Sequence, residues 1–249
     1  MKTLLKITIP IHLLLILSFF IVDYTSYNLI GIFLLWVLIG IYGEEIGYHR
    51  YFSHRSFKTY KPIERMLAYL GLLGNQGSLL FWVALHRGIH HRYTDKENDL
   101  HSPIHGIFSS FIGWQTKVSN KTINLMSARD IYSDKFLMFL HEYYYFIFWG
   151  TIVLSSCISL NFSLGILLPA IVLSFYQANI VNVIGHIRSL GYRNFNTTDN
   201  SVNNVFVSLI LWGQGWHNNH HARPNNSNFR VKWWEIDIAH ILLIPLIKK

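Results

Sequence analysis

Residues 28–54, NLIGIFLLWVLIGIYGEEIGYHRYFSH, join an uninterrupted apolar segment at 28–46 to a polar end that carries His49 and His54. At about 1.5 Å per residue, an apolar helix of this length can cross a hydrocarbon core about 30 Å thick. Glu44 and Glu45 mark the end of the apolar run. The stretch therefore predicts a transmembrane helix whose two histidines lie at one face of the membrane.

Three more apolar stretches extend this pattern, and they lie at residues 7–22, 144–161 and 164–185. The first follows Lys2 and Lys6 but lacks a small-residue cleavage site, which favours an uncleaved span. Pro169 is tolerated in a membrane helix, and Asn161–Ser163 is the expected link between the last two spans. With 51% hydrophobic and 14% charged residues, the 249-residue chain is predicted to be one all-α membrane domain with four spans in two hairpins.

The positions of Lys and Arg indicate an orientation. All 21 lie in residues 2–6, 50–135 and 188–249, whereas the turns at 23–28 and 161–163 have none. By the positive-inside rule, both termini and the polar segments 47–143 and 186–249 are expected to be cytoplasmic. The net charge of +8 then suits orientation and an anionic membrane surface, and no nucleic-acid partner is expected.

Two apolar segments contain polar breaks and are predicted to lie at the membrane interface as helices. One is 66–85, broken at 74–78, and the other is 202–216, broken at Asn203 and Asn204. The single cysteine, Cys157, excludes disulfides, a cysteine zinc site and an iron–sulfur cluster within these residues. We expect it to be a small buried side chain.

Histidine is the unusual component, with 14 residues, most of them clustered in the segments assigned to the cytoplasm. On a straight helix, His217, His220 and His221 project from one face and can converge on a metal. His86 and His90 would also share a face, with His91 turned about 100° further round. His49 and His54, five residues apart, suit a helix end or a bulge.

These clusters, together with His186 at the end of the last span, give nine imidazoles, more than one metal can use. They therefore predict two metal ions, and imidazole suits zinc, copper and iron alike. A redox-capable pair facing a membrane pocket uses all nine. Packing or surface roles are expected for His12, His101, His105, His141 and His240.

The motifs resemble those of the membrane-bound fatty acid desaturases, including the stearoyl-CoA desaturase type. The matching segments are GYHR at 47–50, SHRSF at 53–57, WVALHR at 82–87, HHRYTD at 90–95, HSP at 101–103, GW at 113–114, NVIGH at 182–186 and GQGWHNNHH at 213–221. The resemblance implies a di-iron centre and nine histidine ligands, with Asn182 holding a metal-bound water. The implied ligands are His49, His54, His86, His90, His91, His186, His217, His220 and His221.

The resemblance also implies the reaction, which is the O₂-dependent formation of a cis double bond, of the delta-9 type, in a long-chain acyl group for unsaturated fatty acid biosynthesis. The substrate would be an acyl-CoA or acyl-lipid. Because an unactivated methylene C–H has no useful acidity, an oxidising metal centre must supply the oxidising power that removes its hydrogen. No fused haem domain is visible, so electrons are expected from a separate ferredoxin, rubredoxin or cytochrome b-type protein.

Three features depart from the family pattern. Ile89 adds a residue to the middle histidine box, which predicts either a helix bulge or a different division of ligands. Phe111 stands where relatives commonly have histidine. Glu44 and Glu45 replace an apolar or hydroxyl pair, and Glu45 lies four residues before His49, so we expect it to accept a hydrogen bond from that imidazole.

The sequence offers two kinds of candidate residue for substrate contacts. Aromatic residues near the cytoplasmic ends of the spans are candidates for an acyl tunnel, namely Trp36, Tyr42 and Tyr176. Arginines that could receive a phosphate-bearing head group are Arg50, Arg55, Arg87, Arg188 and Arg193. Two alternatives stay open, a di-iron hydroxylase of alkyl chains or lipids and, more remotely, a membrane metal transporter, which should place polar ligands along the spans.

Overall fold

The computed structural model describes residues 4–118 and 123–248, which form helices and two isolated bridges but no strand. The α-helices are α1 (Ile9–Ile21), α2 (Ser26–Trp36), α3 (Lys61–Leu73), α4 (Leu79–Leu85), α5 (His91–Tyr93), α6 (Trp114–Lys117), α7 (Lys135–Glu142), α8 (Tyr144–Ile158), α9 (Leu160–Phe162), α10 (Leu168–Ile184), α11 (Val205–Ile210), α12 (His217–Ala222) and α13 (Ile238–Leu243). The all-α class predicted from the sequence is confirmed for these residues.

Two continuous helices are long and apolar enough to cross a membrane, Ser26–Ser53 and Leu160–Ile184. They contain the span predicted at 28–46 and all but the last residue of the span predicted at 164–185. A third candidate is the pair α7 and α8, which bends by 77° between its two halves, and the apolar helix Lys6–Ile21 is shorter than the others. The described residues thus contain two candidate spans, or three with the bent pair, where the sequence predicts four spans.

The chain reverses between α8 and α9 at Ser159, whose extended backbone ends one helix while its hydroxyl accepts a hydrogen bond from the Phe162 amide. The predicted link at Asn161–Ser163 is therefore wrong, because those residues are helical. The prediction for Cys157 is also wrong. This side chain lies exposed on α8, among apolar residues such as Leu154 and Ile158 that are exposed as well.

Two π-helical segments carry histidines. The helix α2 continues as a π-helix from Val37 to Ser53, and α4 continues as a single π-turn from His86 to His90. The backbone N–H of His54 donates to the carbonyl of His49, five residues earlier, at 3.1 Å. A π-turn accommodates an extra residue and changes which side chains share a face. The bulge that Ile89 and the His49–His54 spacing suggest is present.

The π-helical continuation of α2 packs closely on α3. A methyl group on Gly43 would lie 2.5 to 2.7 Å from backbone atoms of Leu70 and Gly71. These atoms belong to a helix and cannot move independently, so the two helices would have to separate. This contact holds the helix that carries His49 against the helical core.

We expect Gly43→Ala to lower the unfolding temperature by about 5 °C, since overpacking a close contact costs about 1–3 kcal/mol. Gly150→Ala is the matched control because no atom lies within 4 Å of the added methyl. There alanine should be neutral or slightly stabilising, by its higher helix propensity. Thermal unfolding in detergent measures both, and equal shifts would contradict this account of the α2–α3 contact.

The two segments with polar breaks are interrupted helices, as predicted, and their location at the membrane interface stays a prediction. The first is divided at residues 74–78, between α3 and α4, and the second has Asn204 as the N-cap of α11. Phe206 and Ile210 on α11 are exposed, and Trp212 packs against Trp36 with ring centroids 5.1 Å apart. This part of the chain therefore contacts the long apolar helix directly.

Candidate metal centre

Five histidines from four parts of the chain form one group of candidate ligands, which we call group 1. The ligand nitrogens of group 1 lie within 4.8 Å of one another. The Nε2 of His220 lies 3.0 Å from that of His49 and 3.1 Å from that of His91. The Nε2 atoms of His54 and His86 are 2.9 Å apart. The members are His49, His54, His86, His91 and His220.

Four further histidines form an adjacent group, which we call group 2. His186, just after α10, and His217 on α12 bring their Nε2 atoms to 2.9 Å, and the Nε2 of His221 lies 3.1 Å from that of His217. His90 completes group 2. The ring centroids of His91 and His221 are 4.7 Å apart across the two groups. All nine histidines predicted from the sequence thus lie together in two sets.

The division between the groups differs from the expectation based on straight helices. His86 shares group 1 with His91, not with His90, because the π-turn at His86–His90 places residues five apart on one side. The three histidines of α12 do not converge on one centre either. His220 joins group 1, whereas His217 and His221, four residues apart, face group 2.

Carboxylates lie behind four of the nine imidazoles. The distances from Nδ1 are 3.0 Å for His49 to Glu45, 3.1 Å for His90 to Asp99, 3.0 Å for His186 to Asp95 and 3.5 Å for His221 to Asp199. Such a partner holds the proton on Nδ1, orients the ring and leaves the Nε2 lone pair free to ligate. The contact expected between Glu45 and His49 is present.

Sequence reasoning missed Asp95, Asp99 and Asp199 as partners of the histidines. They lie in non-helical segments, where no periodicity relates a carboxylate to its imidazole. The one available signal was the position of Asp95 and Asp99 directly after the middle histidine box. Burial alone would raise the pKa of Asp199, but the imidazole of His221 and the hydroxyls of Ser201 and Thr197 hold that pKa below its usual value.

The donor set fits metal ions. The Nδ1 atoms of His49 and His186 face carboxylate oxygens, which favours the tautomer whose Nε2 lone pair is free to ligate. Each of these Nε2 atoms lies about 3 Å from the Nε2 of another histidine in its group, so one cation can contact both nitrogens. Burial, reinforced by neighbouring imidazoles, lowers the pKa of His86, His91, His217 and His220 well below the usual value. Neutral imidazole is the form that binds metal.

Two other buried residues adjoin these groups. The Nδ2 of Asn182 has no hydrogen-bond partner among the described residues, which leaves it a donor for a water or another small ligand. His101 is buried and forms a third set with His90 and Asp99. The centroid of its ring lies 4.4 Å from that of Trp114, edge to face, and its expected packing role stays a prediction.

The assignment of Arg50 to a substrate head group is wrong. Its side chain is completely buried, and the guanidinium donates to Glu45 at 2.8 Å and to both carboxylate oxygens of Asp237 at 2.9 Å. A third acceptor is the Ser227 carbonyl at 2.6 Å. Four of its five N–H donors are used within the protein, and the buried group does not reach a ligand on the surface.

The other candidate substrate residues lie outside both groups. The hydroxyl of Tyr176 is 2.7 Å from Nε2 of His12, and its ring stacks on Phe111, so it ties α10 to α1. Trp36 packs on Trp212, and Tyr42 is half-buried. The remaining arginines bind protein acceptors: Arg55 and Arg87 bind Asp130, Arg188 binds Asn200, and Arg193 binds Thr197.

Residues 28–249 match the family model described as Fatty acid desaturase. The chain is 34% identical over 215 residues to Acyl-CoA C20 Delta5-desaturase of Anemone leveillei, covering 85% of this chain and 68% of that protein. It is 33% identical over 245 residues to sn-1 stearoyl-lipid 9-desaturase of Synechocystis sp., covering 92% and 72%. Identity to the Anabaena variabilis protein described in the same words is 34% over 218 residues, covering 86% and 79%. The chain spans only 64% of Acyl-CoA 5-desaturase AL21 of Anemone leveillei.

The match covers all nine histidines, the four carboxylates behind them and Asn182. These relatives are desaturases by their printed names, and the two histidine groups of this chain could hold metal ions. The chain belongs to the fatty acid desaturase family and is an oxidoreductase that acts on fatty acyl groups.

Proposed function

We propose that this protein uses O₂ and two iron ions to introduce a cis double bond into a long-chain fatty acyl group, at the delta-9 position. The observation that carries the proposal is the pair of adjacent histidine groups, which offer five and four ligand nitrogens. The regiochemistry rests on the two stearoyl-lipid 9-desaturases among the relatives. Other relatives are named as 5-desaturases, and localising the double bond in the product distinguishes the two positions.

The two iron ions, when bound, would supply the oxidising power that removes hydrogen from unactivated methylene groups. Group 1 and group 2 would each hold one ion. Glu45, Asp95, Asp99 and Asp199 keep Nδ1 protonated and the rings oriented, and the Asn182 amide would hold a metal-bound water. The burial of most of these imidazoles keeps bulk water away from the reacting carbons.

The proposal also includes the membrane topology, the substrate and the electron donor. We place the protein in a membrane as a multi-pass protein with four spans, and we place both termini and the histidine groups on the cytoplasmic side, where the basic residues lie. An acyl-CoA or acyl-lipid is the substrate, and a separate ferredoxin, rubredoxin or cytochrome b-type protein supplies electrons. Trp36 and Tyr42 are candidates for the acyl path, and the exposed Arg188 for the head group. Arg87 is not retained as a candidate, because all five of its N–H donors bind protein acceptors.

The test is expression in a host that lacks its own desaturase, followed by mass spectrometry of total fatty acids with double-bond localisation. We expect new cis monoenes, with the bond at carbon 9. Hydroxy acids in place of alkenes would establish the hydroxylase instead. An unaltered fatty acid profile in cells that also supply a reduced ferredoxin, a rubredoxin and a cytochrome b-type donor would contradict the proposal.

A further inference from the structure

Arg50 is the centre of a buried network that joins the histidine groups to the C-terminal part of the chain. Its Nε donates to Oε1 of Glu45 at 2.8 Å, and the other oxygen of that carboxylate, Oε2, lies 3.0 Å from Nδ1 of His49. On its opposite side, Arg50 binds Asp237 through two parallel hydrogen bonds. A continuous chain of polar contacts thus runs from Asp237 through Arg50 and Glu45 to a ligand of group 1.

The same network fixes the segment around Phe229, whose ring lies against group 1. Asp237 accepts the backbone N–H of Phe229 at 2.8 Å, and the Ser227 carbonyl accepts from Arg50. The Phe229 ring lies 3.9 Å from the Arg50 guanidinium, and its centroid is 4.6 Å from that of His220. Phe229 is therefore held against His220 and His49 by contacts that converge on Arg50.

A planar guanidinium is needed for this geometry. It binds one carboxylate in a fork and a second carboxylate at its edge, whereas a lysine ammonium is a point charge that cannot reproduce the fork. Because Arg50 holds one carboxylate oxygen of Glu45, only the other oxygen of that carboxylate can face His49. Without that partner, the carboxylate is free to rotate and the imidazole loses its fixed acceptor.

We propose that Arg50 is a positioning residue for the metal centre. It orients Glu45 toward His49 and holds Phe229 against His49 and His220 of group 1, and it does so without touching substrate or metal. This inference rests on the proposed function, because it assigns Arg50 a role in holding iron in group 1. It predicts that disturbing Arg50 affects iron retention beyond any effect on folding.

The experiment compares Arg50→Met, Asp237→Leu and the double variant by thermal unfolding and by the rate at which a chelator removes Fe²⁺ from the purified protein. Each single change leaves an unpaired buried charge and should destabilise the fold. The double variant removes the charges of Arg50 and Asp237 together, but it leaves Glu45 without its cation and the amides of Phe229 and His240 without their acceptor, so it should recover only part of the stability lost in Arg50→Met. We expect the double variant still to release iron about 10-fold faster than the wild type, because Glu45 has lost its partner.

A second comparison uses the Glu45→Gln substitution. Added to the double variant, it should accelerate iron release little further, since residues that act through one another are non-additive. Arg50→Lys keeps the charge and serves if the other variants do not fold, and it too should release iron faster. Wild-type release rates in the double variant, or in Arg50→Lys, would overturn the positioning role while leaving the proposed function intact. A wild-type protein that binds no Fe²⁺ would overturn both.

Discussion

Replacing His220 by alanine is expected to reduce alkene formation by about 100-fold or more, because this residue is central to group 1. Its Nε2 lies about 3 Å from the Nε2 atoms of both His49 and His91, so its loss removes the nitrogen that two other ligands approach. The metal of group 1 would lose a ligand inside a buried site, where a replacement water has little access. Monoene yield in the expressing host, normalised to protein level, measures the effect.

His105→Ala is the matched control for this prediction. His105 belongs to none of the three sets of candidate ligands found among the described residues, and it lies in a short 3-10 turn. We expect it to retain most of the wild-type yield. If His105→Ala and His220→Ala lowered the yield equally at equal protein level, group 1 would not be the reacting centre.

The second large effect is expected for Asp199→Asn, which should lower iron affinity by about 10- to 100-fold. The change keeps the shape of the side chain but places an amide donor where Nδ1 of His221 needs an acceptor. His221 lies in group 2, so iron should be lost from that group first. Iron bound per chain during dialysis against buffers of defined free Fe²⁺ measures the affinity.

Asp134→Asn is a suitable control, because Asp134 caps α7 through hydrogen bonds from the amides of Phe136 and Leu137. Asparagine caps helices about as well as aspartate. Iron affinity should then stay at the wild-type value. An Asp199→Asn protein that binds iron as tightly as this control would show that the carboxylate behind His221 does not support group 2.

Periodicity and residue type were sufficient to predict which histidines lie together, but not how they are divided between group 1 and group 2. The apolar runs placed His49, His86 and His217 at one end of the helices, and chain geometry then required their clusters to approach one another. The division depends on π-turns, because one inserted residue moves His91 to the side that His90 would occupy on a straight helix. A bulge was indicated at Ile89, but which ligands it exchanges follows only from the packed structure.

The role of Arg50 was not predictable for a related reason. An arginine at the polar end of a membrane span ordinarily faces lipid head groups or solvent. Its actual partner, Asp237, is far along the chain in a segment without apolar periodicity, and nothing in the local sequence connects the two. The same holds for Asp199 and His221, whose contact is made by a loop. Contacts of this kind depend on tertiary packing, so composition and spacing do not reveal them.

The central claim is that the two histidine groups hold two iron ions. Metal analysis of the protein purified after anaerobic Fe²⁺ loading, compared with His220→Ala and His217→Ala, tests it most directly. We expect two irons per chain in the wild type and one in each variant, since the first removes a ligand of group 1 and the second a ligand of group 2. One iron or none in the wild type, or two irons in both variants, would contradict the account.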